Sequence, residues 1–192
     1  MVMPMNPLSS RARIFLALLL ASICTFASAA DWNYRVGEEA PAFSLKTLDG
    51  KKLSSADLRG HYAVVSFMTS WCPFCNASVP TLEQMSKDYG KRDVRVAIID
   101  IAEERKPITK FVKKHGLTFP IALDTDSKVA TSYAPPPTLA PDLPRDEVMI
   151  ASFMIIAPDG KIQFLSLNED TAKFDAKLGK LRGRLDELLA AK

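Results

Sequence analysis

The chain has 192 residues, 47% hydrophobic and 24% charged, with a formal net charge of +3. That length and composition suit one globular domain with a sizeable core. The charge is spread along the chain, with no basic block and no aromatic–basic stripe, which argues against nucleic acid as a partner.

Residues 1–30 differ from the rest. Arg11 and Arg13 precede a nearly continuous apolar stretch over 14–27, and Ala27-Ser28-Ala29-Ala30 offers small residues for cleavage. This is the pattern of a secretory signal peptide, which marks the mature chain for export. The stretch is short for a spanning helix, which needs roughly 20 residues; the alternative is an uncleaved membrane anchor over 14–30. Removing the segment takes away two Arg and no acid, so the net charge falls from +3 to +1. It also takes away Cys24 and leaves Cys72 and Cys75 alone. So short a loop adds little as a staple. An exported chain whose two remaining Cys lie together is better explained by chemistry.

The remainder, 31–192, reads as one domain in chain order. Trp32 and Tyr34 open it without a distinct assignment. A short strand over 43–45 is followed by Asp49-Gly50, a turn signal. Residues 62–68 are apolar and β-branched, a buried strand. A helix follows Cys72, with Pro73 at its first position, Val79, Leu82, Met85 and Tyr89 on one face, and Gly90 at its end. A second buried strand covers 94–101. Ile108, Phe111, Val112 and His115 share a helical face stopped by Gly116. A third strand spans 119–123 and a short helix 126–133. Residues 134–147 carry five prolines and read as an extended surface loop. A strand over 150–156, a turn at Pro158-Asp159-Gly160 and a strand over 162–167 form a hairpin. Phe174, Leu178, Leu181, Leu185 and Leu188 mark a final amphipathic helix, read as covering the protein's own core, which leaves a monomer. The order predicts an α/β fold: a central mixed sheet flanked by helices on both faces.

The chemistry lies in Trp71-Cys72-Pro73-Phe74-Cys75, at the junction of a strand and a helix. A helix N-terminus holds unpaired N–H groups and about half a positive charge. A thiolate there is stabilised and nucleophilic near neutral pH. Cys72 is expected to be the exposed sulfur that attacks, and Cys75 the shielded one that resolves the mixed disulfide. Trp71 is expected beside the sulfurs, shaping the surface a substrate meets with Pro73 and Phe74. The plainer reading, half a zinc site, needs further Cys or His ligands. Only His61 and His115 exist, and His115 suits a helix C-terminus, where an imidazole interacts well with the dipole. No metal and no other cofactor is assigned.

At these residues the chain resembles the TlpA/ResA-like branch of the thioredoxin superfamily. Gly37 to Phe43 resembles that family's entry motif, Asp57-Leu58-Arg59-Gly60 the segment before its central strand, and Pro80 a proline in its active-site helix. The resemblance implies a thioredoxin-like fold and reversible exchange with protein thiols and disulfides. It also implies a membrane electron-transfer or thiol-oxidase partner that resets the pair. Three departures stand out. The family's cis-proline position falls on Ile150, after Met149, and these two are taken as substrate contacts. A Glu that many relatives carry is Ser78 here, and a buried acid of the classical members is Ser66. The usual proton acceptors for Cys75 are therefore missing, which leaves water or an acid elsewhere in the fold. Two other readings stay open. Peroxidases of this fold also carry a Thr or Ser where Thr69 stands, but Val65 replaces their proline. Copper-binding relatives need a wider Cys spacing and an added His.

Overall fold

The computed structural model describes residues 35–134, 152–167 and 174–191. The export segment, Trp32 and Tyr34, nearly all of the Pro-rich loop, and Met149 and Ile150 lie outside the described residues.

The middle strand is β3 (Tyr62–Met68), the apolar run that the sequence marks as buried. A hairpin of β1 (Ser44–Lys46) and β2 (Lys52–Ser54) precedes it, paired antiparallel with Leu45 opposite Leu53. After β3 come α1 (Pro73–Gly90), β4 (Val94–Ile101), α2 (Arg105–His115), β5 (Ile121–Asp124) and α3 (Lys128–Ser132). The last described elements are β6 (Ser152–Ile156), β7 (Ile162–Leu167) and α4 (Gly179–Ala190).

The five-stranded sheet has the order β5-β4-β3-β6-β7. β3, β4 and β5 run parallel, while β6 and β7 are antiparallel to their neighbours. Two consecutive crossovers in one direction, β3-α1-β4 and β4-α2-β5, must both lie on one face if each is right-handed. That is the arrangement found. Val79, Leu82 and Met85 of α1, Ile108 and Phe111 of α2, and Leu181 and Leu185 of α4 share one apolar cluster with Val64, Ile98 and Ile155. The opposite face carries Ala63, Val65, Phe67, Ile99 and Met154, covered by the N-terminal hairpin region and by Ala130 and Tyr133. Both faces of β3 are thus buried, which is why its sequence is continuously apolar instead of alternating.

Local chemistry sets the ends of these elements. Gly116 closes α2 in the left-handed region, at φ 64°, and its N–H reaches Val112 O; a glycine there carries no steric penalty. Gly160 turns between β6 and β7 at φ 90°, and an added Cβ would sit 2.8 Å from the Arg59 guanidinium. Arg59 donates to Asp159 O at 2.6 Å and pairs with Glu39, which ties that turn to the entry segment.

The final helix is shorter than its stripe predicts. Leu178 has φ 51°, and α4 begins only at Gly179. Phe174 instead packs its ring on Phe74, with centroids 5.0 Å apart. Leu178 is buried in the core cluster, while Phe174 is half-buried and meets its edge through Phe74. Leu185 is fully enclosed between α4 and the sheet. Leu185→Ala is expected to cost about 2–5 kcal/mol of stability, read as a lower urea midpoint at an unchanged slope.

Candidate active site

The parallel strand β3 ends at Met68, and the turn Thr69–Trp71 delivers Cys72 to the N-cap of α1. Thr69 O accepts from Cys72 N at 3.2 Å, and Cys72 O accepts the first helical bond, from Asn76 N at 3.0 Å. Pro73 sits at the first helical position, where its missing N–H leaves nothing unpaired. The Cys72 sulfur takes the place of the usual capping oxygen and accepts from Cys75 N at 3.3 Å. A negative charge on that sulfur would meet both the donor and the positive end of the helix.

Both cysteines are free thiols. Sequence reasoning expected an exposed first sulfur; in the fold Cys72 keeps 7% of its surface and Cys75 only 2%. The order holds, but both are buried, because the turn folds Cys72 back onto the apolar cluster that contains Val64, Met68 and Ile98. The Cys75 thiol is pushed up strongly, first by burial and then by the neighbouring Cys72 sulfur. Trp71, next to Cys72 in the chain, stands 63% exposed. Pro73 is exposed, and Phe74 is half-buried against Phe174.

A polar network that the motif did not disclose holds the turn. Asn76 Nδ2 donates to Ser70 O at 2.8 Å and to Cys72 O at 2.9 Å. His115 Nε2–H donates to Asn76 Oδ1 at 3.2 Å. Burial, and next the charge of Lys114, hold the His115 pKa down. His115 stands in the last turn of α2, where the sequence reading put it, and it also serves the Cys turn as a hydrogen-bond donor. Ser70 Oγ donates to Glu103 Oε1 at 2.6 Å, and Ser70 N donates to the other oxygen of the same carboxylate.

The two serines that replace family acids are buried. Ser66 faces the α1 side between Ile98 and Phe153 in register. Ser78 Oγ donates to Phe74 O at 3.0 Å and to Cys75 O at 3.1 Å, so its hydroxyl is turned back into the helix. Pro80 lies inside α1 and is exposed; with no N–H, it cannot serve Asn76 O four residues before it. Asp100 is the unexpected acid. It lies on β4 opposite Met68, is 1% exposed, and neither of its carboxylate oxygens has a hydrogen-bond partner among the described residues. Burial first, and Glu103 second, push it up to about 9. The signal for it was present: it is the one acid in the otherwise apolar stretch Val96–Ile101.

His61 is remote from this site. It precedes β3 at the other end of that strand, with Nδ1 2.7 Å from Asp93 Oδ1. Among the described residues no three His, Cys, Asp or Glu side chains stand together as a metal cage.

The thiol pair, the fold and the strand-to-helix turn invite comparison with known proteins. Residues 36–165 match the AhpC/TSA family. The chain belongs to that family. It is 28% identical over 137 residues to the thiol-disulfide oxidoreductase ResA of Bacillus cereus, covering 71% of this chain and 72% of that protein. Among solved structures it is similar to a candidate protein disulfide isomerase from Bacteroides thetaiotaomicron. The TM-score is 0.67 and the identity 26%, over 81% of this chain and 91% of the other. It is also similar to a secreted Mycobacterium tuberculosis disulfide oxidoreductase homologous to Escherichia coli DsbE. There the TM-score is 0.58 and the identity 28%, over 78% and 96% of the two chains. The fold is therefore thioredoxin-like, the resemblance to ResA-like proteins stands, and the enzyme class is that of the thiol–disulfide oxidoreductases.

Proposed function

We propose that this chain is an exported thiol–disulfide oxidoreductase that exchanges a dithiol for a disulfide with protein substrates through Cys72 and Cys75. The observation that carries the reading is the sulfur of Cys72 at the N-cap of α1, accepting the Cys75 N–H at 3.3 Å, with the more deeply buried Cys75 one turn along. A Cys72 thiolate attacks one sulfur of a substrate disulfide, and the other substrate sulfur leaves with the bond pair. Cys75 then attacks Cys72, which releases the second substrate sulfur and leaves a Cys72–Cys75 disulfide. The reverse sequence passes the disulfide to a substrate.

Exposed Trp71 and Pro73, with Phe74 beneath them, form the surface on which such a substrate would dock; Met149 and Ile150 are assigned to the same surface from their place in the sequence. Residues 31–192 act as one thioredoxin-like domain, and residues 1–30 direct export to the periplasm. Among the described residues no helix is long and apolar enough to cross a membrane. A membrane electron-transfer or thiol-oxidase protein resets the pair. The peroxidase and copper readings draw less support. Two thiols on one helix turn suit internal exchange, and of the two His, one is at the far end of β3 and the other is bound to Asn76.

The test is an equilibrium titration of the purified protein against glutathione, with Cys72→Ala as control. A reversible two-electron couple lying between the thioredoxin value of about −270 mV and the DsbA value of about −120 mV, or near either, supports the reading. Its position assigns reductant or oxidant. Absence of any reversible disulfide overturns it.

A further inference from the structure

Resolution of the mixed disulfide requires Cys75 Sγ to lose a proton, and the fold makes that difficult. Cys75 keeps 2% of its surface, and burial raises its thiol strongly. Solvent has little access to that sulfur. Ser78 bears no acid, and its hydroxyl is engaged with Phe74 O and Cys75 O. Ser66 offers a hydroxyl where a carboxylate would be needed.

A buried carboxyl group lies on the adjacent strand. Successive residues of a strand alternate between faces. Val94, Val96 and Ile98 of β4 belong to the cluster that contains Cys72 and Cys75; Asp100 continues that series on the same face. Ser66 is opposite Ile98 and Met68 is opposite Asp100. Asp100 therefore sits diagonally across from Ser66, one pleat nearer the end of β3 from which the Cys turn springs. Met68 itself packs in the cluster with both cysteines. A buried carboxyl group with no hydrogen-bond partner costs stability, and such groups concentrate at functional sites.

The geometry points to Asp100 as the acceptor of the Cys75 proton, with Glu103 tuning it as a positioning residue. The inference rests on the exchange reading of the Cys pair. In the step, which runs through the ionised fraction of Asp100, the S–H bond of Cys75 breaks and its proton goes to the Asp100 carboxylate. The Cys75 sulfur pair forms a bond to Cys72 Sγ. The Cys72–substrate S–S bond breaks, and its electron pair leaves with the substrate sulfur, which takes a proton from solvent. Cys72 and Cys75 are oxidised, the substrate is reduced, and Asp100 returns its proton to solvent.

An acceptor pushed up to about 9 lies much closer to a buried thiol than an ordinary carboxylate at 3.8, and proton transfer is less uphill accordingly. Glu103 supplies part of that displacement. Ser70 holds its carboxylate through two hydrogen bonds, so it is fixed between Asp100 and the turn that carries Cys72. The ionisable group that acts on Asp100 is Glu103, after β4. The register neighbours of Asp100 on β3 and β5 are the apolar Met68 and Leu123.

The experiment is stopped-flow reaction of the reduced full chain with an aromatic disulfide that releases one coloured thiolate per step. The first release reports attack by Cys72, the second resolution by Cys75. Asp100→Asn is expected to slow the second release at least about tenfold near pH ~9, where the unaltered group ionises, and to leave the first within about twofold, with a smaller deficit at neutral pH. Glu103→Gln is expected to move the midpoint of the second phase to lower pH, and Asp100→Glu to restore part of the rate. Equal slowing of both phases by Asp100→Asn, or an unchanged second phase, overturns the inference. Should Asp100→Asn fail to fold, an unmoved midpoint in Glu103→Gln overturns it instead. Absence of the first release in the unaltered chain would sink the exchange reading itself.

Discussion

Cys75→Ser is expected to stop turnover at the mixed disulfide, and Cys72→Ser to prevent that species from forming. The two sulfurs are three residues apart at the start of one helix, but their surroundings differ. Cys72 Sγ accepts a backbone N–H at the positive end of α1, while Cys75 is more deeply enclosed and its thiol is raised. A thiolate is the attacking species in exchange, so the first bond forms at Cys72. Without it, catalysed reduction of a protein disulfide such as insulin is expected to fall by about a thousandfold or more, as loss of an essential nucleophile does elsewhere. Without Cys75 the covalent adduct has no internal partner and accumulates. Mass spectrometry of the non-reduced protein after brief exposure to substrate separates the cases. An adduct on Cys75 in the Cys72→Ser protein would reverse the assigned roles.

Asp100→Asn is expected to change how stability depends on pH. Asp100 is near 3.8 in the unfolded chain and is pushed up to about 9 in the fold. Between those values the folded state holds a proton that the unfolded state has released. The stability this contributes is complete below the unfolded value, and it is lost as pH rises toward the folded one. The loss is up to about 1.4 kcal/mol per pH unit. Removing the group removes the loss. The variant is therefore expected to gain on the unaltered protein steadily from pH ~5 to pH ~8, measured by urea unfolding at several pH values. A stability difference that stays constant over that range would mean that Asp100 is ionised alike in both states. Glu103→Gln should soften the dependence in the same direction, because it removes the second cause of the shift.

Much of the architecture was legible because it follows from local rules. The span Tyr62–Met68, the helix opening at Pro73 and ending at Gly90, the strand Val94–Ile101 and the stop at Gly116 all agree with the sequence reading. Each rests on an apolar run, a fixed proline φ or a residue free to enter the left-handed region, and these act over a few neighbouring positions. The Cys pair was legible for the same reason: its strand–turn–helix setting is written in consecutive residues.

What the sequence determined by itself, then, is the series of elements, the Cys pair at a helix start and the absence of acids at Ser66 and Ser78. The tertiary structure alone decided which distant residues meet that pair. Leu178 and Phe174 continue a helical stripe in sequence but fold as a turn and a ring contact, because packing on Phe74 outweighs periodicity. His115 became a donor to Asn76 because α2 ends beside α1. Trp71 points to solvent because its turn buries the sulfur next to it instead. Asp100 lies 25 residues beyond Cys75 in the chain, yet parallel pairing of β3 with β4 brings it opposite Met68 and onto the face of the cysteines. A register between strands is set by the packing of whole faces, so no local window of sequence can announce it.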